Sequence, residues 1–194
     1  MLSDKDFDLL FRSARSHSKW LDKPVSVVTL QALYDLVRWG PTSANCFPAR
    51  FVFASSAEAK ERLAQCVMAG NVEKVKTAPV VAIIGYDTRF FDRLPKLFPH
   101  NPQAREWFAN DAALAESTAF RNSSLQGGYL VLAARALGLD CGPMSGFDNA
   151  AVDREFFPEG KIKSNFICAL GHGDPAALFP RSPRPDFDEV CSFV

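Results

Sequence analysis

Thr42, Ser43 and Asn45 stand between two prolines in the segment Gly40-Pro41-Thr42-Ser43-Ala44-Asn45-Cys46-Phe47-Pro48. Pro41 and Pro48 fix backbone angles and remove two N–H donors. The two hydroxyls and the amide offer short hydrogen bonds close to the backbone. Such a loop can read a flat polar heterocycle edge-on, and the same composition also suits a plain turn that ends a helix. Arg15, Arg181 and Arg184 lie near opposite ends of the chain. If the fold joins those ends, they can grip a terminal phosphate bidentately; held apart, they are solvated surface charges.

Other chemistry is scarce. No G-x-G-x-x-G follows a strand pattern, and no phosphate-loop signature is present. Ser145-Gly146 lies in Met-Ser-Gly-Phe, which lacks the first glycine of a nucleophile elbow. His17, His100 and His172 stand far apart, without the spacing of a metal site. Cys46, Cys66, Cys141, Cys168 and Cys191 include no C-x-x-C pair and are odd in number, which fits reduced thiols. A chain without a side-chain catalytic constellation suits a protein that supplies binding and orientation while a cofactor carries the reaction.

Positioning elements follow from periodicity. Apolar Phe7, Leu10 and Phe11 behind Ser3 predict a helix over 3–15, and Leu30, Leu33, Tyr34 and Val37 predict one over 27–39. Strands are expected at 50–55, 79–86 and 165–170, the second a buried central strand. Shorter helices are expected at 57–68 and 147–157. The longest, 111–138, contains Gly127-Gly128, a cost of about 1 kcal/mol per glycine that suits close approach of a backbone or flat ligand. Its few charges suit burial all round, as at a subunit interface. Cys141-Gly142-Pro143 reads as a turn. Residues 87–110, broken by Pro95, Pro99 and Pro102, read as a mobile excursion with short helical turns, either a lid or a surface insertion.

The composition is that of a soluble single domain: 194 residues, 47% apolar and 23% charged, enough to bury roughly 70% of the unfolded surface. Zero formal net charge argues against nucleic acid or an anionic membrane as the main partner. No apolar run reaches about 18 residues, and the N-terminus lacks the pattern of a signal peptide, so a cytoplasmic location is expected.

Several blocks, all in one order along the chain, resemble the nitroreductase family of flavoenzymes. They are Arg15-Ser16-His17-Ser18-Lys19-Trp20, the Pro41–Pro48 loop, Asn71-Val72-Glu73-Lys74, Leu137 to Asp148, and Pro180 to Pro185. The loop, Ala119-Phe120-Arg121-Asn122-Ser123-Ser124 and Gly142-Pro143-Met144-Ser145-Gly146-Phe147-Asp148 further resemble its malonic semialdehyde reductase branch, which belongs to uracil degradation. The resemblance implies an α+β fold, a mostly antiparallel sheet flanked by helices, in an intertwined homodimer that binds FMN and takes electrons from NADPH or NADH.

Carried over residue by residue, the resemblance implies that Arg15, Ser16, His17, Arg181 and Arg184 meet the flavin phosphate and ribityl chain. Asn71 and Lys74 would face the pyrimidine edge. The turn Pro143, Met144, Ser145 and Gly146 would approach N5 and O4. Pro41, Thr42, Ser43 and Asn45 would come from the other subunit. The chain departs from the family at His17, where many relatives have Ser, and at Ser145, where many have Glu. It departs again at Phe47, where Gln is common, and at Ala49-Arg50. Phe47 and Arg50 therefore bring apolar area and positive charge suited to a small carboxylate substrate. Arg121, on a helix poor in charge, is expected to face a carboxylate: Glu116, Asp111 or a ligand.

Overall fold

Short polar side chains open most helices by accepting a backbone N–H from the first turn, which satisfies donors that a helix start leaves free. A computed structural model describes residues 1–194. Ser3 caps α1 (Asp4–Phe7), Ser26 caps α2 (Val27–Val37), and Ser56 caps α3 (Ala57–Ala64). α4 (Ala69–Thr77) follows without a side-chain cap. Two brief helices, α5 (Leu94–Leu97) and α6 (Ala104–Ala109), precede α7 (Ala112–Ala136), which Asp111 caps. Asp148 caps α8 (Asn149–Phe156), and Asp186 forms a capping box on α9 (Phe187–Val190). The first helix is shorter than its apolar spacing predicts. It passes into a π-helical turn, Asp8–Arg12, and leaves Phe7 and Phe11 exposed.

Four strands form one antiparallel sheet in the order β1-β2-β4-β3. They are β1 (Ala49–Ala54), β2 (Val80–Asp87), β3 (Asp140–Met144) and β4 (Ile162–Gly171). β2 is buried from Val80 to Tyr86, as its unbroken apolar run requires of a strand covered on both faces. Phe51 pairs with Ile84, Ile83 with Ile167, and Pro143 with Cys168. β3 occupies the span read as a turn. A proline fits there because β3 is an edge strand.

Alternation along the strands feeds two cores. Val81, Ile83, Ile167 and Ala169 pack with Leu63, Val75 and Val152 on one face. Val80, Ala82, Ile84 and Leu170 pack with Leu33 and Val37 of α2 and Leu130 and Ala134 of α7 on the other. Residues 87–110 correct the expectation of a loose excursion. Phe90, Phe91, Leu94 and Phe108 build a third core with Cys46, Tyr86 and Ala115, so this stretch is packed structure. Within one chain α7 keeps part of its surface open. Leu114, Phe120, Arg121, Leu125 and Gly128 lie exposed along it. Gly127 meets the ring of Phe166, at 2.4 Å from where its Cβ would stand, while Gly128 faces open space.

Candidate active site

The two ends of the chain do meet. Arg15, Ser16 and His17 run beside β3, where Ser16 bridges Cys141 and the His17 N–H donates to the Cys141 carbonyl at 2.9 Å. Gly142 permits this approach: a Cβ there would stand 2.3 Å from the His17 carbonyl oxygen. Arg181 donates to the Ala14 carbonyl at 3.0 Å, and Arg15 donates to that of Phe179. The result is a cavity of about 610 Å³ lined by Arg12, Arg15, Ser16, Arg135, Arg181 and Arg184, with no carboxylate in its wall. Four of its five guanidinium groups, those of Arg15, Arg135, Arg181 and Arg184, have no carboxylate partner, which favours a phosphate. Arg12 is already paired with Asp4 and Asp8. Arg135 donates to the Leu10 carbonyl at 2.8 Å and keeps a buried Nε without a partner. Sequence reasoning missed Arg12 and Arg135, which belong to no motif; only the fold brings them here.

At the other end of β3 lies a second cluster. Lys74 Nζ donates to Asn71 Oδ1 at 3.0 Å, and Asn71 Nδ2 donates to the Gly146 carbonyl at 2.9 Å. Lys74 has no carboxylate partner, so its ammonium remains available to a ligand. Five strand residues separate the clusters by about 16 Å at the usual rise. Pro143 and Ser145 are exposed, whereas Met144 is buried in the core. Met144 can thus offer a ligand only its backbone. His17 departs further from expectation. Its ring is buried against Gly173, with Nε2 3.5 Å from Asp140 and Nδ1 unpartnered.

The Pro41–Phe47 loop sits elsewhere, against the middle of α7. Ala44, Asn45 and Phe47 all have positive φ, at 48°, 49° and 43°. Each such residue costs about 1–3 kcal/mol unless the surroundings hold it. Here they do. Asn122 Oδ1 accepts the Ser43 N–H and Gln126 Oε1 accepts the Ala49 N–H, both at 2.9 Å. Thr42 Oγ1 accepts the Phe47 N–H at 3.3 Å, and Asn45 donates to the Leu97 carbonyl at 2.7 Å. Tyr129 donates to the Pro41 carbonyl at 3.0 Å. Asn122 and Gln126 were missed, although buried amides four residues apart on one helix face were the available signal. Gln126→Leu should strand a buried N–H and cost about 1–3 kcal/mol, read as a melting temperature lower by roughly 2–12 °C. An unchanged melting temperature would show that the loop does not depend on this bond.

The loop lines its own cavity, which shares no residue with the arginine pocket. Neither cavity is lined by Asn71 or Lys74, whose hydrogen bonds run to Gly146 and to each other rather than to the loop. Burial pushes the Cys46 thiol up to about 11, although Thr42 pulls it down, so it is inert at neutral pH. Arg50 is ion-paired with Asp87 and donates to the carbonyls of Phe47 and Ala49 at 3.0 and 2.8 Å. Arg121 lacks the internal partner foreseen for it. Glu116 binds Lys163 at 2.6 Å, and Asp111 caps the Leu114 N–H.

The four-stranded antiparallel sheet flanked by helices, with an arginine pocket beside one end of β3 and the Asn71–Lys74 pair beyond the other, makes this an α+β protein of the nitroreductase type. Residues 11–172 match the Nitroreductase family, and the chain belongs to that family. A Ralstonia pickettii protein, "Putative NADH dehydrogenase/NAD(P)H nitroreductase HadB", is 61% identical over 187 residues, 95% of each chain. A Cupriavidus pinatubonensis protein with the same enzyme name is 56% identical over 196 residues, all of both chains. Among solved structures, a chain from Exiguobacterium sibiricum in complex with FMN shares the fold at a TM-score of 0.87 and 18% identity, over 100% of this chain and 99% of that one. A nitroreductase family protein from Streptococcus pneumoniae superposes at 0.84 with 21% identity, over 97% of this chain and 100% of that one.

Proposed function

We propose that the protein is an FMN-dependent oxidoreductase that takes electrons from NADPH or NADH and reduces malonic semialdehyde to 3-hydroxypropanoate. The observation that carries the cofactor is the arginine pocket without carboxylates, joined by β3 to Lys74 and Asn71. The donor set fits FMN. Arg15, Ser16, Arg181 and Arg184 would hold its phosphate, while Gly142 lets the Arg15–His17 segment lie on β3 and Gly146 leaves room for Asn71. When bound, FMN supplies hydride acceptance and delivery. Lys74, without a carboxylate partner, would bring a positive charge to the bound group and so stabilise negative charge on it. Asn71, anchored on Gly146, orients that lysine.

A homodimer completes this reading. Leu114 and Leu125, eleven residues apart and so on one face of α7, are exposed in one chain, and Phe120 is half exposed beside Tyr86. In the tail Phe187 and Phe193 pack on each other, yet with Val190 they remain largely exposed. Joined through these surfaces, each chain's Pro41, Thr42, Ser43 and Asn45 serve the site of the other. The unpaired thiols suit a reducing cytoplasm. For the acid substrate, Arg121 is the candidate anchor, because it is exposed and unpaired while Arg50 is held by Asp87. Phe47, half-buried in the loop, contributes apolar area.

The test is rapid reoxidation of the reduced, flavin-loaded protein by malonic semialdehyde, nitrofurazone and menadione in parallel. Fast reoxidation by the aldehyde acid supports the proposal. Preference for the other two supports a broad nitro- or quinone reductase, which the names of the relatives favour. No bleaching by NADPH or NADH would leave a flavin-binding protein without turnover. Arg121→Ala should raise KM for the aldehyde acid at least tenfold while quinone reduction and FMN content stay close to the parent, about what one charge-assisted bond contributes. Equal loss of both activities would mean that Arg121 supports the fold.

A further inference from the structure

The cavity beside the Pro41–Phe47 loop has a charge pattern that the malonic semialdehyde reading leaves unused. Ala49 and Gln126, both buried, form its floor, and Arg38, Trp39 and Arg93 stand exposed at its rim. Arg50 also lines it, but Asp87 and the carbonyls of Phe47, Pro48 and Ala49 occupy that guanidinium. Arg93 is different. The nearby Asp92 is taken by Arg89 and Arg105, and Asp87 by Arg50, so Arg93 has no ion-pair partner. It also sits close to a like charge: burial first, and then Arg93, push the Arg50 pKa down against the pull of Asp87. Arg38 reaches Asp35 only at 3.9 Å, both side chains more than half exposed, and lies over the Trp39 ring at 5.6 Å from its centroid.

Two guanidinium groups without firm counter-ions thus border an aromatic cavity of about 400 Å³. A three-carbon acid would leave most of that space empty. We propose that this cavity takes the adenosine end of NADPH, its 2′-phosphate held by Arg93 and Arg38 and its adenine against Trp39. This rests on the reading above, in which the same loop meets the flavin and so receives the reactive end of the dinucleotide. The ring of Trp39, 81% exposed, is a stacking surface with no protein aromatic on it. NADH carries a hydroxyl where NADPH carries the phosphate, so it gains nothing from the two arginines. The arginines therefore set the choice of reductant.

Calorimetric titration of the FMN-loaded protein with adenosine 2′,5′-bisphosphate and with adenosine 5′-monophosphate tests this directly. The bisphosphate should bind at least tenfold more tightly. In the double variant Arg38→Ala/Arg93→Ala that difference should vanish, and the ratio of kcat/KM for NADPH to that for NADH should fall at least tenfold. FMN content and melting temperature report folding, and Arg93→Lys should keep part of the preference if folding of the double variant fails. Equal binding of the two nucleotides to the parent protein would overturn the proposal. So would a variant that changes only KM for a carboxylate oxidant, since the cavity would then serve the acid. If the protein oxidises neither nicotinamide nucleotide, the oxidoreductase reading fails, yet the titration still decides what the cavity binds.

Discussion

Gly142→Ala should unfold the site from its centre. The new Cβ would stand 2.3 Å from the carbonyl oxygen of His17, a backbone atom that no rotamer change can move. Either β3 shifts away from β4, or the Arg15–His17 segment leaves β3 and breaks the bond from His17 N–H to Cys141. Overpacking of this kind costs about 1–3 kcal/mol, with the lost hydrogen bond adding about 1. At roughly 2–4 °C per kcal/mol, the melting temperature should drop by about 4–16 °C. FMN retention should fall with it, because Arg15 and Ser16 move with the segment. Gly70→Ala is the control. It lies in the first turn of α4 with nothing within 4 Å of the added carbon, and should be neutral or slightly stabilising. A Gly142→Ala protein that melts with the parent would show that the N-terminal segment is not fastened to β3.

The double variant Arg181→Ala/Arg184→Ala should release the flavin phosphate. Each arginine bond to a charged oxygen contributes about 1.5–3 kcal/mol, so the pair supports about two to four decades of affinity. Part of that is offset, because in the free protein Arg181 holds the Ala14 carbonyl and Arg184 the carbonyls of Ser182 and Pro183. Titrating apoprotein with FMN by fluorescence quenching measures the loss. Riboflavin, which lacks the phosphate, should bind parent and variant alike. Equal weakening of both ligands would mean that the two arginines shape the tail rather than grip an anion. Raising salt should weaken FMN binding to the parent protein more than to the variant.

Local signals exposed part of this site and hid the rest. Asn71 and Lys74 could be named only through the family motif; their mutual contact lies within one helical turn, but the bond from Asn71 to Gly146 spans much of the chain. The terminal arginines could be named but not joined, since only the fold shows Arg181 reaching Ala14 across the length of the chain. β3 escaped notice because Gly142 and Pro143 argue against a central strand, and sequence does not reveal that a strand lies at an edge. The prolines of 87–110 erased any period, although Phe90, Leu94 and Phe108 were already there to make a core. Arg121 shows the opposite failure. A sensible local partner, Glu116, was spent on Lys163, which arrives from β4.

The backward-turning backbone of the loop also sets which spellings of it evolution can try. At Ala44, Asn45 and Phe47 the main chain, not the side chain, is the demanding part. Glycine, asparagine and aspartate enter such a conformation cheaply, while valine, isoleucine and threonine pay for their branched Cβ and proline is barred by its ring. Drift at these three positions therefore runs along a narrow corridor of residue types that polarity or size would not foretell. A random library over 44–47 should keep its folded members inside that corridor, even where Phe47 gives way to something as small as glycine.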